Sequence, residues 1–120
     1  MTQVDKELLI RYLSMALPYR VKVCLYEQET CILSGIDGYD VYLDVDSDSF
    51  RIESIKPYLR PMSSMTEEEE TEYDILCNYN NNEQNAIILL DWLLKKRFDI
   101  FGLIPKGLAI EVTEENNPYK

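Results

Sequence analysis

Three aspartates at alternate positions, Asp44, Asp46 and Asp48, have the spacing of the first ligands of a calcium-binding loop. Such a loop also needs a glycine for its sharp turn and a glutamate at its last position, where this sequence has Ser49 and Ile55. The flanking residues alternate with a period of two, which indicates strands and not the two helices that the motif requires. The sequence therefore predicts a hairpin turn with solvent-facing carboxylates and no metal or other cofactor, with a weak, adventitious cation site as the alternative.

Catalytic chemistry has few candidate residues in this chain. There is no histidine, which removes the commonest general base and the commonest zinc ligand, and with them any Ser-His-Asp or Cys-His arrangement. The glycine-rich nucleotide loops G-x-x-x-x-G-K-[ST] and G-x-G-x-x-G are also absent. Acidic residues are abundant, so a carboxylate-based enzyme stays open as an alternative, but nothing marks one acid pair over another. The sequence therefore indicates no catalytic residue and favours a non-enzymatic function.

The charge of the chain restricts its partners. The formal net charge is −10, and residues 61–94 contain eight acids and no base. Such a surface repels a polyanion, so direct binding to nucleic acid is not expected. An acidic surface can instead dock a basic protein or mimic a nucleic acid that such a protein binds, although a solvated helix face is the simplest explanation.

Tyrosines are the second feature of a possible contact surface, since nine occur in 120 residues. A tyrosine buries a large area at a low cost in side-chain entropy. The proline-flanked segment KPYLRP (56–61) either presents its side chains to a partner or forms a stiff connector. The candidate partner contacts are Tyr39, Tyr42, Tyr58, Arg60, Glu68 and Glu70.

The first half of the chain must position the tyrosines of this set. Residues 5–17 carry apolar side chains at helical spacing, which predicts an amphipathic helix that Pro18 ends. From Arg20 to Glu53 the period changes to two, which predicts four short strands in an antiparallel meander or a small barrel. The Asp37-Gly38 pair supplies the turn between the second and third strands.

The second half is predicted to be mainly helical. A capping box of Thr66 and Glu69, with Ser64 and Glu67 as a competing register, begins a helix that runs to about residue 78.

A second helix, 83–97, is the most hydrophobic element of the chain. Its stripe of Ile87, Leu90 and Leu94 is expected to pack across the sheet as the centre of the core. The Lys95-Lys96-Arg97 triplet at its end either matches the helix dipole or binds phosphate.

The complete prediction is one α+β domain with an N-terminal helix, a four-stranded antiparallel sheet or small barrel, two C-terminal helices and a short final strand. Residues 1–56 form the helix and meander, 57–65 a connector, 66–113 the helical part with the last strand, and 114–120 a frayed tail. The last strand is indicated by the alternation of apolar residues over 108–112.

The cellular setting follows from composition. No apolar run approaches the roughly 20 residues that a membrane span needs, so no contact with a membrane is expected. The three cysteines, Cys24, Cys31 and Cys77, are an odd number without C-x-x-C spacing. Free thiols in a reducing cytoplasm are therefore expected.

Two segments carry a resemblance to known proteins. KPYLRPMSSMTEEE (56–69) and FDIFGLIPKGLAIEV (98–112) resemble segments of uncharacterised small proteins of gut Bacteroidales and their phages and mobile elements. Those proteins carry a K-P-x-L-R-P-[LM]-S run and an F-D-x-x-G-L-I-x-x-G-L-A run. The resemblance implies a bacterial or phage cytoplasmic setting and no specific activity.

The predicted function is therefore a non-enzymatic module that binds a protein partner through an acidic, tyrosine-containing surface. An acidic nucleic-acid mimic is the first alternative and a carboxylate-based enzyme the second. The identity of the partner and the oligomeric state are left open by the sequence.

Overall fold

A computed structural model describes residues 1–45, 47–78 and 83–120, without the side chains of 83–85. The helices are α1 (Gln3–Ala16), α2 (Glu67–Asn78) and α3 (Glu83–Lys95). The strands are β1 (Lys22–Leu25), β2 (Glu29–Asp37), β3 (Asp40–Leu43), β4 (Ser49–Arg51), β5 (Ile55–Leu59) and β6 (Ile110–Glu111). The fold is α+β, as predicted.

Helix α1 begins and ends where local chemistry requires it. Thr2 and Asp5 form a capping box, in which the Asp5 backbone N–H donates to Thr2 Oγ1 at 3.1 Å and the Thr2 N–H to Asp5 Oδ2 at 3.4 Å. The helix ends at Ala16, and Pro18 lies in the short 3₁₀ turn that follows. The buried residues of α1 are Leu9, Tyr12, Leu13 and Ala16. They all belong to the predicted apolar stripe, which is thereby confirmed.

The sheet is larger than the sequence predicts. Its six strands lie in the order β4-β3-β2-β1-β5-β6. The antiparallel meander β1 to β4 is confirmed, and Gly38 has the positive φ of +63° in the β2–β3 turn. The final strand β6 rejoins the sheet beside β5 in parallel orientation. The sheet is therefore mixed and open, which corrects the prediction of four antiparallel strands or a small barrel.

Strand β5 corrects the prediction of a connector at 57–65. It pairs with β1 on one side and β6 on the other, although it contains Pro57. The Tyr26 N–H donates to Ser54 O at 2.9 Å, and hydrogen-bonded pairs alternate along an antiparallel ladder. The pair of Val23 and Pro57 is therefore a non-hydrogen-bonded one, so the missing N–H of proline breaks no bond to β1. Burial of Pro57 and its neighbours then stabilises the strand.

The centre of the core is α1 and not α3. The buried side chains of α1 pack with those of the sheet in one cluster, to which α3 contributes Leu94. Along the predicted stripe of α3, exposure rises from 5 % at Leu94 to 37 % at Leu90 and 67 % at Ile87. The three residues share a helix face, as predicted, but the N-terminal part of α3 extends beyond the edge of the core. The prediction that this helix forms the centre of the core is therefore wrong.

The C-terminal segment is held by Tyr119, where the sequence predicts fraying from 114. The register of β1 and β5 would make Lys22 and Tyr58 the next hydrogen-bonded pair. Instead, the Lys22 N–H donates to the Tyr119 hydroxyl at 2.9 Å, and that hydroxyl donates to Tyr58 O at 2.9 Å. The tyrosine hydroxyl thus replaces a bond of the ladder, and burial raises the pKa of this phenol.

We predict that Tyr119→Phe lowers the free energy of unfolding by about 1–3 kcal/mol, because a strand N–H and a strand carbonyl each lose a partner. Urea denaturation followed by circular dichroism measures the change. The matched control is Tyr26→Phe at an exposed position, which should change stability by less than about 0.5 kcal/mol. Equal effects of the two substitutions on stability would show that the Tyr119 hydroxyl does not replace a bond of the β1–β5 ladder.

Candidate functional site

The predicted contact residues are not equally accessible. Tyr39 and Tyr42, in the β2–β3 turn and on β3, are exposed, and the Tyr39 hydroxyl accepts a hydrogen bond from Gln3 Nε2 at 2.7 Å. Tyr58 is only 7 % exposed, and its hydroxyl lies 3.4 Å from Thr30 Oγ1. Tyr58 belongs to an inner strand of the sheet and is buried. The prediction that it is a surface contact is therefore corrected.

The remaining candidates lie away from the exposed tyrosines. Glu68 and Glu70 are exposed on the first turn of α2, and Arg60 directly follows β5. Strands β1 and β2 separate β5 from β3, which places the two groups roughly 14 Å apart at the usual strand spacing. The structure therefore does not bring the six residues into one patch.

Arg60 and Glu69 form a bidentate ion pair at the end of β5. The Arg60 guanidinium donates to both carboxylate oxygens of Glu69, at 2.6 Å from Nη2 to Oε1 and 2.8 Å from Nη1 to Oε2. The same carboxylate accepts from the Thr66 N–H at 3.0 Å, and Thr66 Oγ1 accepts from the Glu69 N–H at 3.2 Å. The Thr66 capping box is thereby confirmed over its competing register. One buried carboxylate thus begins α2 and joins it to the end of β5.

The ionisation of Glu69 follows from these contacts. The Arg60 guanidinium, the Thr66 N–H and the nearby Lys96 ammonium stabilise the charged form against the cost of burial, and they lower the pKa of Glu69 to about 2. This carboxylate is therefore ionised at neutral pH. A carboxylate-based enzyme needs an acid with a raised pKa, and Glu69 has the opposite property.

Helix α3 ends in a Schellman motif with an arginine in the left-handed position. The Phe98 N–H donates to Leu93 O at 3.0 Å, and the Arg97 N–H to Leu94 O at 3.0 Å. Arg97 has a φ of +65°, where glycine is usual. The Phe98 ring then packs on Trp92, with 5.8 Å between the ring centroids.

The Arg97 side chain joins the end of α3 to the C-terminal segment. Its Nη2 donates to Tyr19 O at 3.1 Å and its Nη1 to Lys95 O at 3.1 Å. The guanidinium carbon lies 4.0 Å from the centroid of the Tyr119 ring, which is a cation–π contact. The remaining donor, Nε, is buried and has no hydrogen-bond partner among the described residues.

A groove of about 980 Å³ lies between these elements. We call it the basic groove, because five basic and two acidic residues line it in a chain of net charge −10. The basic residues are Arg60, Lys95, Lys96, Arg97 and Lys120, and the acidic ones are Glu69 and Glu114. The Lys95-Lys96-Arg97 triplet is the signal that the sequence offered for this site. Tyr119 and Lys120 carried no comparable signal, because they reach the groove only through the folded tail.

A second feature is the apolar surface of the two C-terminal helices. Trp92 Nε1 donates to Glu72 Oε2 at 2.8 Å, and the Trp92 and Tyr73 rings lie 6.2 Å apart, so α2 and α3 contact each other. The exposed aliphatic residues of the pair are Ile75, Ile87, Ile88 and Leu90. We call Ile87, Leu90 and Leu94 the α3 stripe. An exposed apolar surface of this kind often marks a contact with another molecule.

No metal centre is found in the described ranges, where no three cysteine or acidic side chains are grouped to hold an ion. Asp44 Oδ1 accepts a hydrogen bond from the Ile32 N–H at 2.8 Å. Asp46 lies outside the described residues, so the metal-free turn stays a prediction. None of the helices in those ranges has the length and apolar character that crossing a membrane requires.

Comparison with known proteins gives no match: no model of a protein family, no curated protein and no solved structure is significantly similar to this chain. Functional inference therefore rests on the geometry of the α3 stripe and the basic groove.

We predict that Glu69→Gln lowers the free energy of unfolding by about 2 kcal/mol at pH 7, because the charge that pairs with Arg60 is lost while a glutamine can still cap α2. The folded-state pKa is lowered, so the stabilisation is complete above the ordinary glutamate pKa and is lost as pH falls towards 2. The difference between wild type and variant should therefore shrink between about pH 5 and pH 2.

Urea denaturation at a series of pH values measures this difference. The neighbouring exposed residue provides the control, since Glu68→Gln should leave both the stability and its pH dependence nearly unchanged. A Glu69→Gln variant as stable as wild type at pH 7 would disprove the role of this carboxylate.

Proposed function

We propose that this protein is a non-enzymatic interaction module that docks a basic, amphipathic segment of a partner protein on the α3 stripe. The observation that supports this most is the rise in exposure along one apolar helix face, from 5 % at Leu94 to 67 % at Ile87. A helix whose apolar face is buried at one end and exposed at the other offers Ile87 and Leu90 as contacts for a second helix.

Charge determines which occupant this surface favours. The segment 61–94, which contains α2 and most of α3, has eight acids and no base. A second copy of the chain would bring the same acids against each other, which is unfavourable. A segment with lysine or arginine around an apolar stripe complements both the aliphatic residues and the carboxylates, and the acidic field would speed its association. The occupant is therefore a basic partner and not another copy.

This proposal changes the nature of the predicted contact surface. The acidic character is retained, whereas aliphatic residues of α3 take the place of the tyrosines. A nucleic-acid mimic would use carboxylates alone, and it would not need Ile87 and Leu90 to be exposed. The apolar surface therefore favours the docking of an amphipathic segment over mimicry.

We propose that this module acts in the bacterial cytoplasm as a protein of a bacterium or of its phages or mobile elements, which is what the resemblance of its two segments implies. The three cysteines are free, and Cys24 and Cys31 are buried in neighbouring strands without forming a disulfide. Free thiols are usual in a reducing compartment, which supports this setting.

We predict that a synthetic helical peptide with leucines at i, i+3, i+4 and i+7 and lysines elsewhere binds the wild-type protein. Ile87→Gln should weaken binding about tenfold or more, because burial of one aliphatic side chain contributes about 1.5–3 kcal/mol. The control is Val4→Gln, since Val4 is 70 % exposed on α1 and matches Ile87 in exposure and branching. Isothermal titration calorimetry measures the affinities.

A scrambled peptide of the same composition tests whether binding depends on the amphipathic pattern. Equal binding of both peptides, or equal weakening by the two substitutions, would reject the proposal. Light scattering after size-exclusion chromatography tests the other occupant, since a stable dimer that Ile87→Gln dissociates would assign the stripe to self-association.

A further inference from the structure

We propose that the basic groove is a second docking site, which binds an extended acidic peptide segment. It lies at the C-terminal end of α3, whereas the α3 stripe is exposed towards the N-terminal end. The proposal rests on the charge and shape of the groove and is independent of what the stripe binds.

Positive charge is concentrated in the basic groove. The 120 residues include 12 basic ones, and five of these line one groove. Glu69 compensates part of this charge through its pairs with Arg60 and, at 3.9 Å, with Lys96. Within the described ranges, Lys95, Arg97 and Lys120 form no ion pair. Glu114 also lines the groove, but five basic residues against two acidic ones leave an excess of positive charges that repel one another. An anionic ligand would remove this repulsion.

The walls of the groove are fixed by contacts that keep the cations together. Arg97 adopts a left-handed backbone conformation, which the hydrogen bonds of the Schellman motif at the end of α3 hold in place. Its guanidinium lies over Tyr119, whose hydroxyl joins β1 and β5, and Lys22 Nζ donates to Pro118 O at 2.6 Å. These contacts hold the C-terminal segment, which ends in Lys120, at the groove. The geometry is thus set before a ligand binds.

The chemistry of the donors favours a peptide over a phosphate group. Both guanidiniums are largely engaged, Arg60 by Glu69 and Arg97 by the carbonyls of Tyr19 and Lys95. The accessible cations are lysines, which act as point charges on flexible stems and impose no fixed bidentate geometry. The groove lining contains no glycine that would form a phosphate-cradling loop. Carboxylates spread along an extended chain, at about 3.3 Å per residue, match such mobile charges.

The size and the lining of the groove agree with this ligand. Its volume of about 980 Å³ is at the upper end of the range for small-molecule sites. Tyr19 and Val112 add apolar surface beside the lysines, against which the non-acidic side chains of a peptide can pack. Val112 directly follows the edge strand β6, so an extended segment would lie alongside the sheet.

The test is a titration of a fluorescein-labelled peptide of alternating glutamate and alanine, eight residues long, followed by fluorescence anisotropy at low ionic strength. The double variant Lys95→Gln/Lys120→Gln should weaken binding at least fivefold. The matched control is Arg11→Gln/Lys106→Gln, which removes the same charge from exposed positions outside the groove lining. This control should bind within twofold of wild type.

A second measurement locates the site without any substitution. In ¹⁵N-edited NMR spectra, the peptide should shift the amide signals of Lys96, Arg97, Val112 and Thr113. Equal weakening by the two double variants would attribute binding to overall charge and overturn the proposal. Tighter binding of pyrophosphate or of oligothymidylate at the same amides would also overturn it, as would the absence of peptide binding. Glu69→Gln is not suitable as a test, because Glu69 also stabilises α2.

Discussion

The position of the two C-terminal helices depends on the guanidinium of Arg60. It holds the carboxylate of Glu69 by two hydrogen bonds at the first turn of α2, and it lies 4.4 Å from the centroid of the Phe98 ring beyond α3. The backbone of the same residue continues the sheet outward, since its N–H donates to Arg97 O and its carbonyl accepts from the Asp99 N–H, both at 2.8 Å. One residue thus joins β5, the start of α2 and the end of α3. A bidentate arginine–carboxylate pair suits this role, because it fixes direction as well as distance.

The two candidate surfaces follow from this junction. With both helices held at one end by Arg60 and Glu69, the N-terminal part of α3 extends away from the sheet and leaves Ile87 and Leu90 without a cover within the described residues. At the held end, Lys95 and Lys96 at the C-terminal end of α3 come together with the C-terminal segment and form the basic groove. The protein therefore carries exposed aliphatic side chains towards the N-terminal end of α3 and a basic groove at its C-terminal end.

Features that depend on neighbouring residues could be predicted from the sequence, and features that depend on distant residues could not. The capping box of Thr66 and Glu69 and the alternating strands could be identified because their determinants lie within a few residues. Strand β5 could not be predicted, because a proline excludes a strand only where the ladder needs a backbone N–H at that position. Whether position 57 needs one depends on the register of the strands. The pattern of α3 showed which face is apolar but not what covers it, so Leu90 was placed in the core. The role of Tyr119 could not be predicted, since it lies 97 positions along the chain from Lys22. For the same reason, the lysine–arginine triplet was the only feature of the sequence that indicated the groove.

Hydrogen exchange of an Arg60→Met variant tests the junction most directly. Methionine keeps most of the apolar stem and removes the guanidinium, and Arg51→Met on the exposed edge strand β4 serves as the control. We predict that the amides of α2 exchange faster by at least tenfold in Arg60→Met, with β2 and β3 unchanged and no effect in the control. Unaltered protection of α2, or a uniform loss across helices and sheet alike, would contradict the central role of Arg60.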